Sequence, residues 1–100
     1  MRFHVQIVAF DTITGPEADR RLRDNVGRRL QQVMESGKIK EAGFLAGKRG
    51  AFFLVDVDAA EELYAIFGPE VYSSFHVEAS PVAPPEKVAA LFQQWAQEGR

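Results

Sequence analysis

The sequence contains no cysteine, which excludes disulfide bonds, zinc–thiolate sites, iron–sulfur clusters and cysteine nucleophiles. It has no apolar run approaching about 18 residues, so no segment is predicted to span a membrane. The net charge is only −2, whereas a nucleic-acid-binding domain usually carries a strong basic excess, so we expect no nucleic-acid partner. The N-terminus lacks the basic, apolar and small-residue regions of a signal peptide, from which we expect a cytoplasmic protein.

What the sequence does contain indicates one small domain with a thin core. Its 100 residues are typical of a single domain, and a domain of this size buries only about two thirds of its unfolded surface. Eight phenylalanines and a hydrophobic fraction of 46% supply the apolar material for that core. Because thin cores are commonly reinforced by oligomerisation, we expect self-association.

The spacing of the apolar residues predicts four strands and three helices. The predicted strands span residues 3–10, 39–46, 51–57 and 71–79, and the predicted helices span 16–36, 58–68 and 85–98. The order β-α-β-β-α-β followed by a helix is that of a ferredoxin-like α+β domain. We assign residues 1–80 to this domain. Residues 81–100 are predicted to form a proline-rich connector and a C-terminal helix that packs on the same domain or on its partner.

Several local features refine these predictions. Gly43 is expected to mark a β-bulge, and Gly27 to allow the close approach of a strand to the first helix. Asp58 is predicted to cap the second helix, which should end at Gly68 and Pro69. The third strand is almost continuously apolar, which is typical of a central strand covered on both faces.

One face of the predicted sheet is expected to need a partner. Right-handed crossovers place both main helices of a split βαβ unit on one side of the sheet, so the other side is left bare. A bare sheet face with apolar residues has to be covered by another layer. The sequence therefore predicts a homodimer or a higher oligomer.

Four short segments form a pattern that is known from one protein family: Phe3-His4-Val5, Ala46-Gly47, Phe53-Leu54-Val55-Asp56-Val57 with Glu61-Glu62-Leu63, and Phe75-His76-Val77-Glu78. Together they resemble the muconolactone isomerase-like family of the dimeric α+β barrel superfamily. The resemblance implies a ferredoxin-like subunit whose open sheet face packs on that of a second subunit to form a barrel. It also implies isomerase activity, with small organic molecules bound between sheet and helices. Lys48-Arg49 after the Ala-Gly pair and the C-terminal helix depart from the family pattern.

The candidate catalytic residues lie on two strands that are antiparallel neighbours in a ferredoxin-like sheet. His4 occupies one face of the first strand, and His76 and Glu78 share one face of the fourth. If these faces coincide, His76 is the candidate proton carrier, Glu78 its orienting carboxylate and His4 a second donor. A polar ladder of cross-strand pairs is the alternative interpretation. The two histidines and the glutamate lack a tight metal-binding motif, so we predict neither a metal nor another cofactor.

Three further residues are candidates for substrate binding. Arg49 and Lys48 lie in a glycine-flanked hairpin loop and could hold a substrate carboxylate, with a solvated hairpin tip as the alternative. Tyr72 could orient a ligand through its hydroxyl group, or it could belong to the core with its hydroxyl in water.

Two functions follow from these residues. The first is an enzyme of small-molecule catabolism, by resemblance an isomerase that moves a proton on a lactone or a related organic acid. The second is a non-catalytic dimer that binds a small ligand or is structural. An apolar pocket that contains His4, His76 and Glu78 would favour the enzyme, and the same residues in bulk water would favour the second function.

Overall fold

The computed structural model describes residues 1–99. The strands are β1 (Arg2–Ala9), β2 (Ile39–Phe44), β3 (Gly50–Asp56) and β4 (Phe75–Pro81), and the helices are α1 (Pro16–Glu35), α2 (Glu62–Tyr72) and α3 (Pro85–Gln97). The strands form one antiparallel sheet with the order β2-β3-β1-β4. The predicted ferredoxin-like α+β fold is therefore confirmed.

The core lies between one face of the sheet and the helices α1 and α2. Along β1 and β3 every second side chain is buried, as expected for strands with one covered face. These side chains form one cluster with the buried residues of both helices. Phe67 of α2 is fully buried, and its ring lies edge-on to that of Phe53 with the centroids 5.3 Å apart. The alternation of β1 and β3 thus determines which face carries the helices.

The opposite face of the sheet, which we call the open face, has no covering layer from residues 1–99. The residues of β1 and β3 that point to it are half-buried rather than buried. Phe52 and Leu54 of β3 lie there, so this strand is central in the sheet but covered on only one side. Cover on both faces of β3, as predicted, would therefore need a second layer that residues 1–99 do not supply.

The second helix differs from its prediction at its start. Asp58 does not cap it, because the helix begins at Glu62 and its N-cap residue, Glu61, makes no side-chain cap hydrogen bond. Gly68 does interrupt the helix, as predicted, because its backbone is non-helical with φ at +73°, and a separate helical turn follows this kink through Tyr72. The missing N–H of a proline is tolerated in a first helical turn, so Pro69 can begin the turn after the kink.

The predicted bulge at Gly43 is also wrong. The irregular register between β2 and β3 lies between Ile39 and Glu41, and Gly43 pairs regularly with Phe52. A Cβ atom on Gly43 would lie 2.5 Å from Cε1 of Phe52, so this glycine makes room for the neighbouring ring. Gly43 therefore has a structural role, but the role is to allow a close side-chain contact and not to accommodate an extra residue in the strand.

The C-terminal helix stands away from the domain. None of its residues is buried, and Leu91, Phe92 and Trp95 are 48%, 58% and 44% exposed. The chain measures 60 × 27 × 19 Å, and its radius of gyration of 17.1 Å exceeds the roughly 13 Å of a compact 100-residue domain. The helix is predicted to pack on the same domain or on its partner; within the described residues these three side chains are not buried on the domain, so packing on a partner stays a prediction.

An ion pair ties α1 to the turn that follows the kink in α2. Arg29 donates from Nε and Nη2 to the two carboxylate oxygens of Glu70, and both side chains are partly buried. The hydrogen bonds from Arg29 hold the pKa of Glu70 below its usual value. In the same way, Arg2 lowers the pKa of Asp56 at the ends of β1 and β3, with a smaller contribution from Lys40.

These two carboxylates predict a stability that depends on acid pH. Both bind protons less readily in the folded chain than in the unfolded one. The stabilisation is thus complete above the unfolded pKa of about 4, and it is lost as the pH falls through the folded pKa. We expect the melting temperature to fall below about pH 4, and to fall less steeply in Glu70→Gln. Thermal melts from about pH 6 to about pH 2.5 measure this. The control is Glu86→Gln on α3, and an equal slope for Glu70→Gln and the parent would contradict the prediction.

Candidate functional site

A cavity of about 550 Å³ lies between the middle of α1, from Asp19 to Leu30, and the covered face of the sheet. Its walls are mostly apolar and come from the strands, from α1 and from the end of β2. The apolar residues among them are Ile7, Ala9, Leu22, Val26, Leu30, Phe44, Leu45, Ala51 and Phe75. Ligand sites are typically concave and largely apolar with a few polar groups, so this cavity is the candidate binding site.

The absence of a side chain at Gly27 helps to keep the cavity open. Gly27 lies on α1 and lines the cavity, and a Cβ atom added there would meet no atom of the described residues within 4 Å. The expected close approach of a strand to Gly27 is therefore wrong. Gly27 is exposed and costs helix stability, and a larger side chain at this position would have room to extend over the cavity.

The rim of the cavity carries an excess of positive charge. Arg23, Lys48 and Arg49 contribute three cations, and Asp19 contributes the single carboxylate among the described lining residues. Asp19 pairs with Arg49 at 3.0 Å and lies 3.8 Å from Arg23. Lys48 forms no ion pair with any residue between 1 and 99. The rim can therefore attract an anionic group, and Lys48 is the cation best able to meet it.

Arg49 also organises the loop that follows β1. Its guanidinium donates to the carbonyl oxygens of Phe10 and Ile13, at 3.3 and 2.8 Å, in addition to Asp19. The hairpin is thereby fastened to the start of α1. Arg49 is a predicted contact for a substrate carboxylate, but most of its N–H donors already bind the protein itself.

The candidate catalytic residues lie on the open face, on the other side of the sheet from the cavity. In the pairing of β1 with β4, Gln6 lies opposite Glu78 and Val8 opposite His76, while His4 lies opposite Ser80. Directly opposed residues of an antiparallel pair point to the same face. His4, His76 and Glu78 thus share a face, as their alternation suggested.

The register nevertheless separates the two histidines. His76 pairs with Val8, four residues from His4, which corresponds to about 13 Å along the strand. Glu78 pairs with Gln6, which lies midway between His4 and Val8, so Glu78 is about 7 Å along the strands from the position of each histidine. His4 stacks on Phe52 with the ring centroids 5.8 Å apart, and His76 lies edge-on to Phe10 at 4.6 Å. A proton therefore cannot pass directly between the two imidazoles within one chain.

Tyr72 lies with neither group. It packs at the end of α2 and stacks on Tyr64 with the ring centroids 4.8 Å apart. Burial raises the pKa of its hydroxyl, and the nearby Tyr64 raises it further. The structure therefore places the predicted site residues in three locations: the open face, the cavity rim and the end of α2.

The described residues supply no metal centre and no membrane helix. Between residues 1 and 99, no group of three or more histidine, aspartate or glutamate side chains is arranged to hold a metal ion. Over the same residues, no helix has the length and the apolarity needed to cross a membrane.

Comparison with solved structures identifies the fold. A crystal structure of muconolactone isomerase superposes with a TM-score of 0.66, and the alignment covers 84% of this chain and 90% of that one. The fold of this chain is similar to that of muconolactone isomerase. The resemblance predicted from the sequence is thereby confirmed for the fold. Sequence identity to muconolactone isomerase is 16%, a level at which the likeness concerns the fold alone.

A second solved structure is more distant. The protein TTHA0845 from Thermus thermophilus superposes with a TM-score of 0.49 and 16% identity, over 84% of this chain and 96% of that one. No protein-family model matches the sequence, and comparison with curated proteins finds no significant match. The similarity to muconolactone isomerase therefore rests on the backbone.

The family resemblance implied ligands bound between sheet and helices, but reasoning from the residues themselves did not predict the cavity. Its apolar walls come from the same periodic positions that form the core, so periodicity gives no sign that space remains between them. The available signal was Gly27 on the apolar edge of an otherwise good helix. Interpreted as missing volume rather than as a close contact, it indicates the cavity.

Proposed function

We propose that this chain is one subunit of a homodimer that binds a small organic acid. The acid's apolar body would occupy the cavity between α1 and the sheet, and its anionic group would lie at the cationic rim beside Lys48. The observation that carries this proposal is the apolar cavity with three cations and one carboxylate at its rim. An apolar enclosure provides affinity, and a charged group at the mouth provides orientation.

The placement of the histidines favours binding over catalysis by these groups. A ligand in the cavity is separated by the sheet from His4, His76 and Glu78, which lie on the open face. Among residues 1–99, no histidine lines the cavity. The isomerase-like proton transfer by His76, Glu78 and His4 stays a prediction, and it would need a substrate bound at the open face.

The proposed homodimer would cover the open face. Burying apolar surface stabilises an association by roughly 25 cal/mol per Å², and this face offers half-buried apolar side chains from two central strands. Two sheets packed face to face form a core about 10 Å thick. In that arrangement the cavities, on the far side of each sheet, remain open to a ligand.

Substitutions at Gly27 test the cavity directly. Gly27→Ala is expected to raise the free energy of unfolding by about 0.5–1 kcal/mol, because alanine is the better helix former and its Cβ meets no described neighbour. Gly27→Leu is expected to fill the cavity and to abolish the binding of anilinonaphthalene sulfonate, an apolar probe with one anionic group. Fluorescence titration measures the binding, and urea unfolding measures the stability. Equal probe affinity in Gly27→Leu and the parent would exclude the cavity as the site.

A substitution of Lys48 tests whether the cavity prefers an anionic ligand. Lys48→Gln is expected to weaken binding of the sulfonate probe roughly two- to fivefold, as expected for an exposed ion pair. It should leave the binding of the uncharged N-phenylnaphthylamine unchanged. Lys87→Gln on α3 is the control. An equal effect of Lys48→Gln on both probes would exclude Lys48 as the anion contact.

A further inference from the structure

The apolar surface of α3 has no covering partner among residues 1–99. Val88, Leu91, Phe92 and Trp95 recur at helical spacing and define one stripe, which we call the α3 stripe. Three of its four side chains are about half exposed, and Phe92 and Trp95 pack on each other with ring centroids 5.5 Å apart. A contiguous exposed apolar surface of this kind marks an interaction site.

The connector directs the helix away from its own core. The N–H of Val82 donates to the carbonyl of Arg2 at 2.8 Å, which fixes the chain at the end of the β1–β4 pair. Pro84 is extended and Pro85 begins the helix, so two consecutive prolines restrict the backbone between the sheet and α3. The 60 Å length of the chain results from this arrangement.

We infer that the α3 stripe packs on a second copy of this chain and not on its own domain. This inference rests on the proposed homodimer and identifies the element that completes its interface. Because α3 leaves from the end of β4, an edge strand of the sheet, it starts at the border of the open face. Two copies related by a two-fold axis would exchange their helices reciprocally.

The area of the open face supports this assignment. Four strands of about seven residues offer a face of roughly 19 × 23 Å, or about 900 Å² for two subunits. A specific interface usually buries about 1,200–2,000 Å² in total. An aromatic side chain buries about 150–250 Å² in full, and Phe92 and Trp95 are about half exposed, so the four rings of two exchanged helices would add roughly 400 Å² and bring the interface into the usual range.

The single tryptophan of the chain makes the inference directly measurable. Trp95 lies in the α3 stripe, so intrinsic tryptophan emission reports on the docking of α3 alone. Sedimentation equilibrium on the same samples measures the oligomeric state. Where the parent is oligomeric, its tryptophan emission is expected to be blue-shifted and protected from quenchers. On dilution, the emission should shift to the red over the concentration range in which the mass falls to that of a monomer.

Two adjacent substitutions test whether the α3 stripe itself makes the contact. Phe92→Glu is expected to weaken self-association at least tenfold and to shift the Trp95 emission to the red at concentrations where the parent is associated. Gln93→Glu adds the same charge outside the stripe and should change neither quantity. A chain ended after Ala83 should show the same weakening with its fold retained by circular dichroism, because α3 contributes no residue to the core.

Three results would overturn the inference. They are blue-shifted emission from a monomer, exposed emission from an oligomer, and unchanged association in Phe92→Glu. The second of these would leave the homodimer itself standing, and none of them changes the outcome of the Gly27 substitutions. Failure of this inference can therefore be told apart from failure of the proposed function.

Discussion

Leu54→Glu is expected to convert the proposed dimer into a monomer. Leu54 lies on the open face in the central strand β3, opposite His4 of β1, and it is half-buried in the isolated chain. In a face-to-face dimer its side chain would be fully covered, and a carboxylate there would lose its hydration without gaining a partner. We expect the dissociation constant to rise about a hundredfold or more, equal to roughly 3 kcal/mol.

Sedimentation equilibrium from micromolar to millimolar concentration measures the change. Met34→Glu is the matched control, since Met34 is an exposed apolar residue on α1, away from the open face. Circular dichroism checks that both variants keep the fold. A parent that is monomeric throughout this range, or a Leu54→Glu variant that remains dimeric, would contradict an interface at the open face.

Phe67→Ala is expected to reduce the free energy of unfolding by about 3–5 kcal/mol. Phe67 is completely buried, and its ring contacts Phe53 of β3. Removal of the ring leaves a cavity between α2 and the sheet in a domain whose core is thin, so collapse can recover little of the loss. A destabilisation of this size is a large share of the whole stability of a small domain.

Urea unfolding followed by circular dichroism measures this loss. Tyr64→Ala is the control, because Tyr64 lies one turn earlier on α2 and is 67% exposed. Its removal costs mainly the stacking contact with Tyr72, which is worth about 1 kcal/mol or less. Similar losses in the two variants would show that α2 is not anchored by Phe67.

The prediction of the elements succeeded where local patterns were strong. The two-residue period of β1 identified Phe3, Val5 and Ile7 as inward-facing, and all three are buried. The predicted bounds of α1 and α3 each lie within one residue of the structure. Such patterns depend on side-chain direction along one element, which the sequence carries directly.

The prediction failed where an element depends on contacts from elsewhere. Gly68 and Pro69 interrupt the helix as their signals predict, but the helical turn after them, in which Glu70 binds Arg29 of α1, was not predicted. A Cβ atom on Gly68 would lie 2.8 Å from the guanidinium carbon of Arg29, so the glycine also makes room for that ion pair. Neither contact could be foreseen from residues close in sequence.

The predictions about the candidate site succeeded and failed for the same reasons. Alternation predicted that His4 and Glu78 face the same side of the sheet. It could not give the register, and a shift of four residues is the difference between a compact cluster and two separate imidazoles. The cationic rim was predicted in part, through Lys48 and Arg49, but Asp19 and Arg23 join it only because α1 crosses the sheet beside the hairpin.

By itself the sequence determined the order of the elements, the residues that face the core and the apolar stripe of α3, because each is a periodic property of one segment. Only the tertiary structure decided three further features: the register between β1 and β4, the empty volume beside Gly27 and the direction in which α3 leaves the domain. Register and cavity volume depend on how side chains from distant segments fill shared space. The direction of α3 depends on the conformation of the connector at the end of β4.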